Sequence, residues 1–332
     1  MSMHEDVENP LNAIAGSLAP GAQGIRNLKR LSSGASQETW AFEVVVGDSF
    51  IPLILRRAPG GSSAARSEAA IGLSGEADLI DRARQNGVPA PQVLHICKPE
   101  DQLGEAFIMA RIEGETLARK ILRDDPYAHA RTVLSKQCGR ALAGIHAIAV
   151  TDLPMLESSF GLDQLSRYEE IYRSFDVPRP IFEFAIKWLR DHAPEAIGPV
   201  LVHGDFRLGN LMVDHAGLAA VLDWELAHIG DPREDLAWIC INSWRFGVSD
   251  NRVGGFGKLD ALLDAYADAG GTEISISDID WFEMLGSLKW GVMCMIMYEA
   301  FRSGADPSVE RAAIGRRVSE TEIDIINLLE RV

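Results

Sequence analysis

The chain has 332 residues, of which 47% are apolar. That is about two domains of ~150 residues each, with enough apolar side chain for a sizeable core, which excludes disordered, collagen-like and coiled-coil classes. Lys and Arg total 32 against 48 Asp and Glu, a net charge of −16 at pH 7, so neither nucleic acid nor an anionic membrane surface is an expected partner.

The first ten residues, MSMHEDVENP, carry acids where a signal peptide needs a basic segment and then an apolar one. The longest apolar run, 290–298, stops at Glu299, well short of the ~20 residues that span a bilayer. A cytoplasmic protein is expected. A short strand ending near Leu31, the polar run SSGASQ and the alternating WAFEVVV of 40–46 predict strand, turn and strand. A third strand is expected over 51–57, then a Gly/Ser-rich loop and an amphipathic helix over 76–85. Pro89 and Pro91 keep the chain extended after it, and strands recur over 92–97 and 106–111 before the acidic turn EGE of 113–115.

Beyond Tyr127 the period changes. Helices are expected over 127–149, 164–175, 178–192, 231–242, 257–269, 278–301 and 307–330, interrupted by one strand-like island at 200–224. Charge divides the same way: residues 1–150 hold 17 acids and 16 bases, and residues 151–332 hold 31 acids and 16 bases. The fold class expected is α+β, a small β-rich lobe joined to a larger helical one. Cys97, Cys138, Cys240 and Cys294 form no CxxC pair and lack a histidine pattern of zinc-site spacing, so they read as reduced, mostly buried thiols.

The island reads LVHGDFRLGNLMVDHAGLAAVLDWE. Two apolar runs, 211–213 and 219–222, joined by the turn HAG, predict a hairpin. Asp205 and Asn210 would flank the loop that enters it and Asp223 would stand at its exit. Three oxygen-bearing side chains at one end of a hairpin suit phosphoryl transfer from a nucleotide: one carboxylate orients and deprotonates an acceptor hydroxyl, and an amide with a second carboxylate holds Mg²⁺ on the phosphates.

H-G-D-x-x-x-x-N followed by D-W-E resembles the aminoglycoside phosphotransferase and choline kinase group, relatives of the protein kinases. Within it, VLDWELAHIGDPREDLAW is similar to phosphotransferases fused to, or encoded beside, acyl-CoA dehydrogenases. The resemblance runs from about Leu28 to Leu329 and is most specific over 202–238. It implies a bilobal protein-kinase-like fold with an N-lobe over 1–109 that binds the nucleotide phosphates, a hinge over 110–115, and a helical C-lobe over 116–332 that holds the catalytic loop and the acceptor. It implies ATP and Mg²⁺ as well, with Asp205 as base and Asn210 and Asp223 as metal ligands.

By the same resemblance, a basic residue on the third strand grips the phosphates and a helix glutamate holds it. Arg56 and Glu76 occupy those places, although alternation from Leu53 and Leu55 leaves Arg56 and Arg57 both open. The turn at Ser33, Gly34 and Ser36 resembles the loop over the phosphates, with backbone N–H groups as donors, although its one glycine departs from the three-glycine kinase pattern. The backbone of Ala110 and Ile112 would pair with the adenine and Met109 would wall its pocket.

Arg207, two residues after the base, either stabilises the transferring phosphoryl group or pairs with Glu234 or Asp235. His203 and Asp235 are expected to brace the loop, Asp231 to cap the helix that follows it, and Arg245, between Trp244 and Phe246, to be a candidate anion contact. The implied partner is a small molecule with a hydroxyl group. It is either an amine alcohol of the aminoglycoside or choline kind or a hydroxylated acyl derivative. A catalytically silent nucleotide-binding scaffold is the rival of another class, and intact Asp205, Asn210 and Asp223 argue against it. Oligomeric state has no signature in the sequence.

Overall fold

A computed structural model describes residues 4–31, 37–61, 71–153 and 155–331. Residue contacts divide the chain into two units, one of residues 1–114 with 219–227, the other of 115–218 with 228–332.

The first unit is built on a five-stranded antiparallel sheet. Its strands are β1 (Gly24–Arg30), β2 (Glu38–Val46), β3 (Ser49–Arg57), β4 (Val93–Ile96) and β5 (Ala106–Ala110), in the order β1-β2-β3-β5-β4. A helix that the sequence reading did not anticipate, α1 (Glu5–Leu18), precedes them and buries Val7, Leu11, Ala15 and Leu18. Val7, Leu11 and Leu18 share one core with Trp40, Phe42 and Val44 of β2, Leu53 and Leu55 of β3 and Ile108 of β5. A second helix, α2 (Leu73–Gln85), packs on β4 and β5. Its buried residues Leu73, Glu76, Ala77 and Ile80 follow the i, i+3, i+4, i+7 spacing of one helix face, so an acid sits in the middle of an apolar stripe. The sheet therefore has helices against it besides its own hairpins, and strand alternation alone does not say which side chains are buried.

The second unit is mostly helical. It holds α3 (Ala118–Arg123), α4 (Ala128–His146), α5 (Gly161–Ser174) and α6 (Pro180–Asp191), then the short strands β6 (Val200–Val202) and β7 (Leu211–Asp214). β7 forms a two-stranded sheet with β8 (Gly217–Val221), and from Ala219 to Ala227 the chain groups with the first unit. β9 (His228–Gly230) pairs antiparallel with β6, and α7 (Arg233–Trp238), α8 (Leu259–Asp268), α9 (Ile276–Arg302), α10 (Val309–Gly315) and α11 (Val318–Leu329) complete the unit. α9, 27 residues long, packs against α5, α6, α7, α10 and α11. Its continuous burial from Trp281 to Val292 follows from being surrounded. Where α4 meets α8, a Cβ on Gly139 would lie 2.4 Å from the Leu262 carbonyl oxygen, so the two backbones touch as closely as they do because residue 139 has no side chain.

The helices expected over 231–242 and 307–330 are each interrupted. α7 stops at Trp238 and a separate turn follows at Asn242–Trp244, while Arg316 and Arg317 separate α10 from α11. No helix among the described residues is long and apolar enough to cross a membrane.

Because α1 supplies a fully buried layer, Leu11→Ala should destabilise the protein by about 2–5 kcal/mol. Urea denaturation measures this, and a loss below about 1 kcal/mol would mean that α1 does not share the sheet's core.

Candidate functional site

In the first unit, period-2 alternation sends Arg56 and Arg57 to opposite faces of β3. Arg57 turns to the face of Leu53 and Leu55, where its Nε donates to the Leu103 carbonyl oxygen at 2.7 Å and its Nη1 lies 3.5 Å from Glu38. Arg56 turns to the other face, where its Nη2 lies 2.9 Å from Glu76 Oε1 and 3.0 Å from Asp223 Oδ1. The choice left open by the sequence is thus settled for the pairing: Arg56 is the partner of Glu76. Burial alone would depress the Arg56 guanidinium, but the charges of Glu76 and Asp223 hold it above its ordinary range.

Gln37 extends the cluster. Its side-chain amide donates to Glu76 Oε2 at 3.1 Å and to Glu225 Oε2 at 3.2 Å. Asp223 has φ +67°, a left-handed backbone that Asp tolerates better than most side chains, and such strain concentrates at functional positions. The strand leading to it is tied within the same unit, Val221 N–H donating to the Pro89 carbonyl oxygen at 2.8 Å.

The expected adenine contacts lie on β5 and just beyond. Met109 is buried, but the Ala110 N–H already donates to the Gln92 carbonyl oxygen at 2.8 Å, so the carbonyl is what Ala110 has to offer a base. Ile112 follows the strand. Ser33, Gly34 and Ser36 lie outside the described residues.

In the second unit, the loop 203–210 alternates anchors and working groups. His203, Phe206 and Leu208 have no exposed surface, whereas Asp205 and Arg207 turn the other way. Asp205 accepts three side-chain hydrogen bonds: from Trp238 Nε1 at 2.7 Å and Arg207 Nε at 2.9 Å on Oδ1, and from Asn210 Nδ2 at 2.6 Å on Oδ2. A turn closed by Asn210 N–H to the Arg207 carbonyl oxygen brings Arg207 and Asn210 back toward Asp205. Gly209 in that turn has φ +133°, and a Cβ there would lie 2.8 Å from Arg207 Nη1. Asn210 spends its NH₂ on Asp205, which leaves the amide oxygen, the atom a hard cation takes.

The loop hangs from Asp235. Its carboxylate accepts the His203 N–H at 2.7 Å and the Gly204 N–H at 3.0 Å, and His146 Nε2 lies 3.2 Å away. His146 Nδ1 in turn lies 2.9 Å from the Tyr266 hydroxyl. His203 is structural in the same sense, its Nδ1 accepting the Asp205 N–H at 3.2 Å. Asp231 Oδ1 accepts the Arg233 N–H at 3.0 Å at the start of α7, and its carboxylate also pairs with the Arg233 guanidinium.

Two sequence expectations are corrected. Arg207 pairs with neither Glu234 nor Asp235. It binds Asp205 itself, and its guanidinium carbon lies 4.6 Å from the centre of the Trp244 ring. Arg245 is an internal tie rather than an anion contact, its Nη2 2.6 Å from Glu283 and its Nε donating to the Cys240 carbonyl oxygen.

Sequence reasoning missed Trp238, Gln37 and Lys289. Lys289 is buried, with Nζ 2.9 Å from Glu234 Oε1 and 5.3 Å from the centre of the Trp238 ring. Trp238 and Glu234 stand four residues apart on α7, so one helix face carries both the donor to Asp205 and the counter-ion of Lys289.

A family model described as "Phosphotransferase enzyme family" matches residues 27–279, and the chain belongs to that family. Mouse acyl-CoA dehydrogenase family member 10 is 28% identical over 243 residues, which is 69% of this chain and 21% of that protein. The chain thus spans about a fifth of the length of this relative. Escherichia coli aminoglycoside 3'-phosphotransferase is 26% identical over 182 residues, 52% of this chain and 65% of that protein. Among solved structures, a macrolide 2'-phosphotransferase from Brachybacterium faecium shares the fold with a TM-score of 0.61 at 16% identity, covering 94% of this chain and 98% of that one. The fold is that of the kinase-like phosphotransferases.

Burial alone would raise the Glu234 carboxyl, but Lys289 and His228 hold it far below the ordinary carboxylate range. Its folded-state pKa is depressed, so its contribution to stability is full above the usual carboxyl range of about 4.3 and declines as pH falls below it. Glu234→Gln should cost about 3–5 kcal/mol at pH 7, because Lys289 is left buried without its counter-ion. By urea denaturation the gap to the parent protein should narrow at pH 3, and a gap independent of pH would refute this account.

Proposed function

From membership of that family, we propose that this protein transfers the γ-phosphoryl group of ATP to a hydroxyl of a small molecule, with Mg²⁺ on the phosphates. The observation that carries the site assignment is the convergence of Trp238, Arg207 and Asn210 on Asp205 within the motif loop. Asp205 is the group that accepts the acceptor's hydroxyl hydrogen and aims its oxygen at the phosphorus. Arg207, fixed between Asp205 and the Trp244 ring, is placed to receive charge on the transferring oxygens.

Arg56 grips the nucleotide phosphates, held by Glu76. Asn210 and Asp223 are assigned to Mg²⁺ on motif grounds, and their donor atoms, an amide oxygen and a carboxylate, are the hard oxygens that this ion takes. When bound, Mg²⁺ would neutralise phosphate charge. The backbone at Ala110 and Ile112 beside Met109 is proposed for the adenine, and Ser33, Gly34 and Ser36 for the phosphates.

Transfer through a loose, metaphosphate-like transition state asks for position and charge rather than covalent chemistry from the protein. This division of labour gives an expectation for variants. Asp205→Asn should abolish turnover while ATP·Mg²⁺ binding is largely retained, whereas Asp223→Ala should weaken the nucleotide complex itself. Calorimetric titration of ATP·Mg²⁺ into each variant decides it, and equal loss of binding in both would remove the assignment.

For the acceptor we propose a hydroxylated acyl derivative. Support comes from the acyl-CoA dehydrogenase family members from mouse, plant, primate and bird that match this chain at 23–28% identity. The second reading, an amine alcohol, has its own support: residues 151–332 carry 31 acids against 16 bases, a field that attracts cations. In a coupled ADP-release assay, hydroxyacyl thioesters should turn over and kanamycin-type amines should be poor substrates. Efficient phosphorylation of an aminoglycoside, weakened by added salt as electrostatic steering requires, would replace the first reading with the second.

A further inference from the structure

Separate from every residue assigned above, His95, Cys97 and Asp101 converge at the edge of the first unit's sheet. Each offers one ligand atom, and the three atoms all lie within 4.8 Å of one another. The set is built by local backbone features. β4 is the outermost strand of the sheet, and its register with β5 shifts between Val93 and His95, an irregularity of the kind that re-aims a side chain at an edge. Beyond β4, a tight turn at Pro99–Asp101 folds Asp101 back, with its Oδ2 accepting the Lys98 N–H at 2.8 Å and lying 2.7 Å from His95 Nε2. Cys97 is pinned by its own N–H to the Ala106 carbonyl oxygen at 2.9 Å and packs on the core shared with α1.

We propose that His95, Cys97 and Asp101 bind one zinc-class divalent cation through imidazole nitrogen, thiolate and carboxylate oxygen, with a fourth position open to water or an outside ligand. One nitrogen, one sulfur and one oxygen suit a borderline ion such as Zn²⁺ or Co²⁺ and do not suit Mg²⁺, which takes oxygen alone. Around a tetrahedral Zn²⁺, bond lengths of about 2.0–2.3 Å place ligand atoms roughly 3.4–3.8 Å apart. The three atoms start no more than 4.8 Å from one another, and His95 Nε2 and Asp101 Oδ2, 2.7 Å apart, have only to part to reach that spacing. All three side chains are partly exposed, so an ion has an entry path.

Co²⁺ is the probe, because its thiolate complex has a charge-transfer band and tetrahedral d–d bands that Zn²⁺ lacks. The full-length protein, titrated with Co²⁺ in excess Mg²⁺ to keep phosphate-site ligands occupied, should take up one ion per chain with both sets of bands, and equimolar Zn²⁺ should bleach them. Cys97→Ser should abolish the charge-transfer band and weaken binding at least about tenfold, while His95→Ala weakens binding but leaves any residual band. Absence of the bands in the parent protein, or bands that survive Cys97→Ser, would overturn the proposal. A folded Cys97→Ser protein is verified by its unchanged ATP binding, and if it fails to fold, the presence or absence of the bands in the parent protein still decides.

Discussion

A carboxylate without exposed surface must find donors inside the protein, and Asp235 finds them in the backbone of the loop that carries the chemistry. Hydrogen bonds to a charged acceptor contribute about 1.5–3 kcal/mol each, so the two N–H groups of His203 and Gly204 fix where the loop begins. The remaining geometry follows from that anchor. His203, held from behind, accepts the N–H of Asp205, and the turn from Arg207 to Asn210 folds both side chains back onto the same carboxylate. All six residues of α7 are buried, and three of them serve this loop or its neighbours: Asp235 anchors it, Trp238 donates to Asp205, and Glu234 neutralises Lys289 beside the Trp238 ring.

The first unit solves a related problem with side chains alone. Glu76 occupies an apolar stripe of α2 where an unpaired charge would cost several kcal/mol. Arg56 supplies the counter-charge and is itself shared with Asp223, while Gln37 satisfies the second Glu76 oxygen. Each member leaves the others uncompensated if removed. A cation set between two carboxylates keeps a fixed position and a fixed charge, which is what an approaching polyphosphate needs to meet.

How far the sequence carried the reading depends on whether a feature is local. The H-G-D-x-x-x-x-N spacing and the D-W-E exit singled out Asp205, Asn210 and Asp223 because they lie close together in the sequence, and the strands of the first half and the helices of the second followed from hydrophobic period. α1 went unread because the internal Pro10 argues against a helix, although its acidic first turn favours one and its Val7, Leu11 and Leu18 lie on one face. That omission is why Arg56 and Arg57 remained open: the Leu53 and Leu55 face is covered by a helix the sequence reading lacked, so an arginine beside them was not the one facing Glu76. Trp238, Gln37 and Lys289 were invisible for a different reason, since each acts on a residue 33 to 55 positions away and only packing brings them together. The His95, Cys97 and Asp101 set was local yet missed, because its spacing is not one of the familiar zinc patterns and depends on an edge irregularity and a tight turn.

Under the proposed reading, the three donors on Asp205 say what the chain invests in. A loose phosphoryl-transfer transition state makes little demand on early proton removal, since the acceptor oxygen gains positive character late. What the reaction does demand is an acceptor oxygen held in line with the phosphorus, and a misplacement of about an ångström costs on the order of a hundredfold. A carboxylate free to rotate would meet the first demand and fail the second. Trp238 and Arg207 on one oxygen and Asn210 on the other remove that rotation. Trp238 is itself buried, packed beside buried Lys289 and 5.6 Å from the Trp244 ring on which Arg207 stacks. The aromatic cluster is therefore part of the same device as the polar one. It limits the motion of the groups that limit the motion of Asp205, and it does so without adding a titratable group beside the reacting atoms.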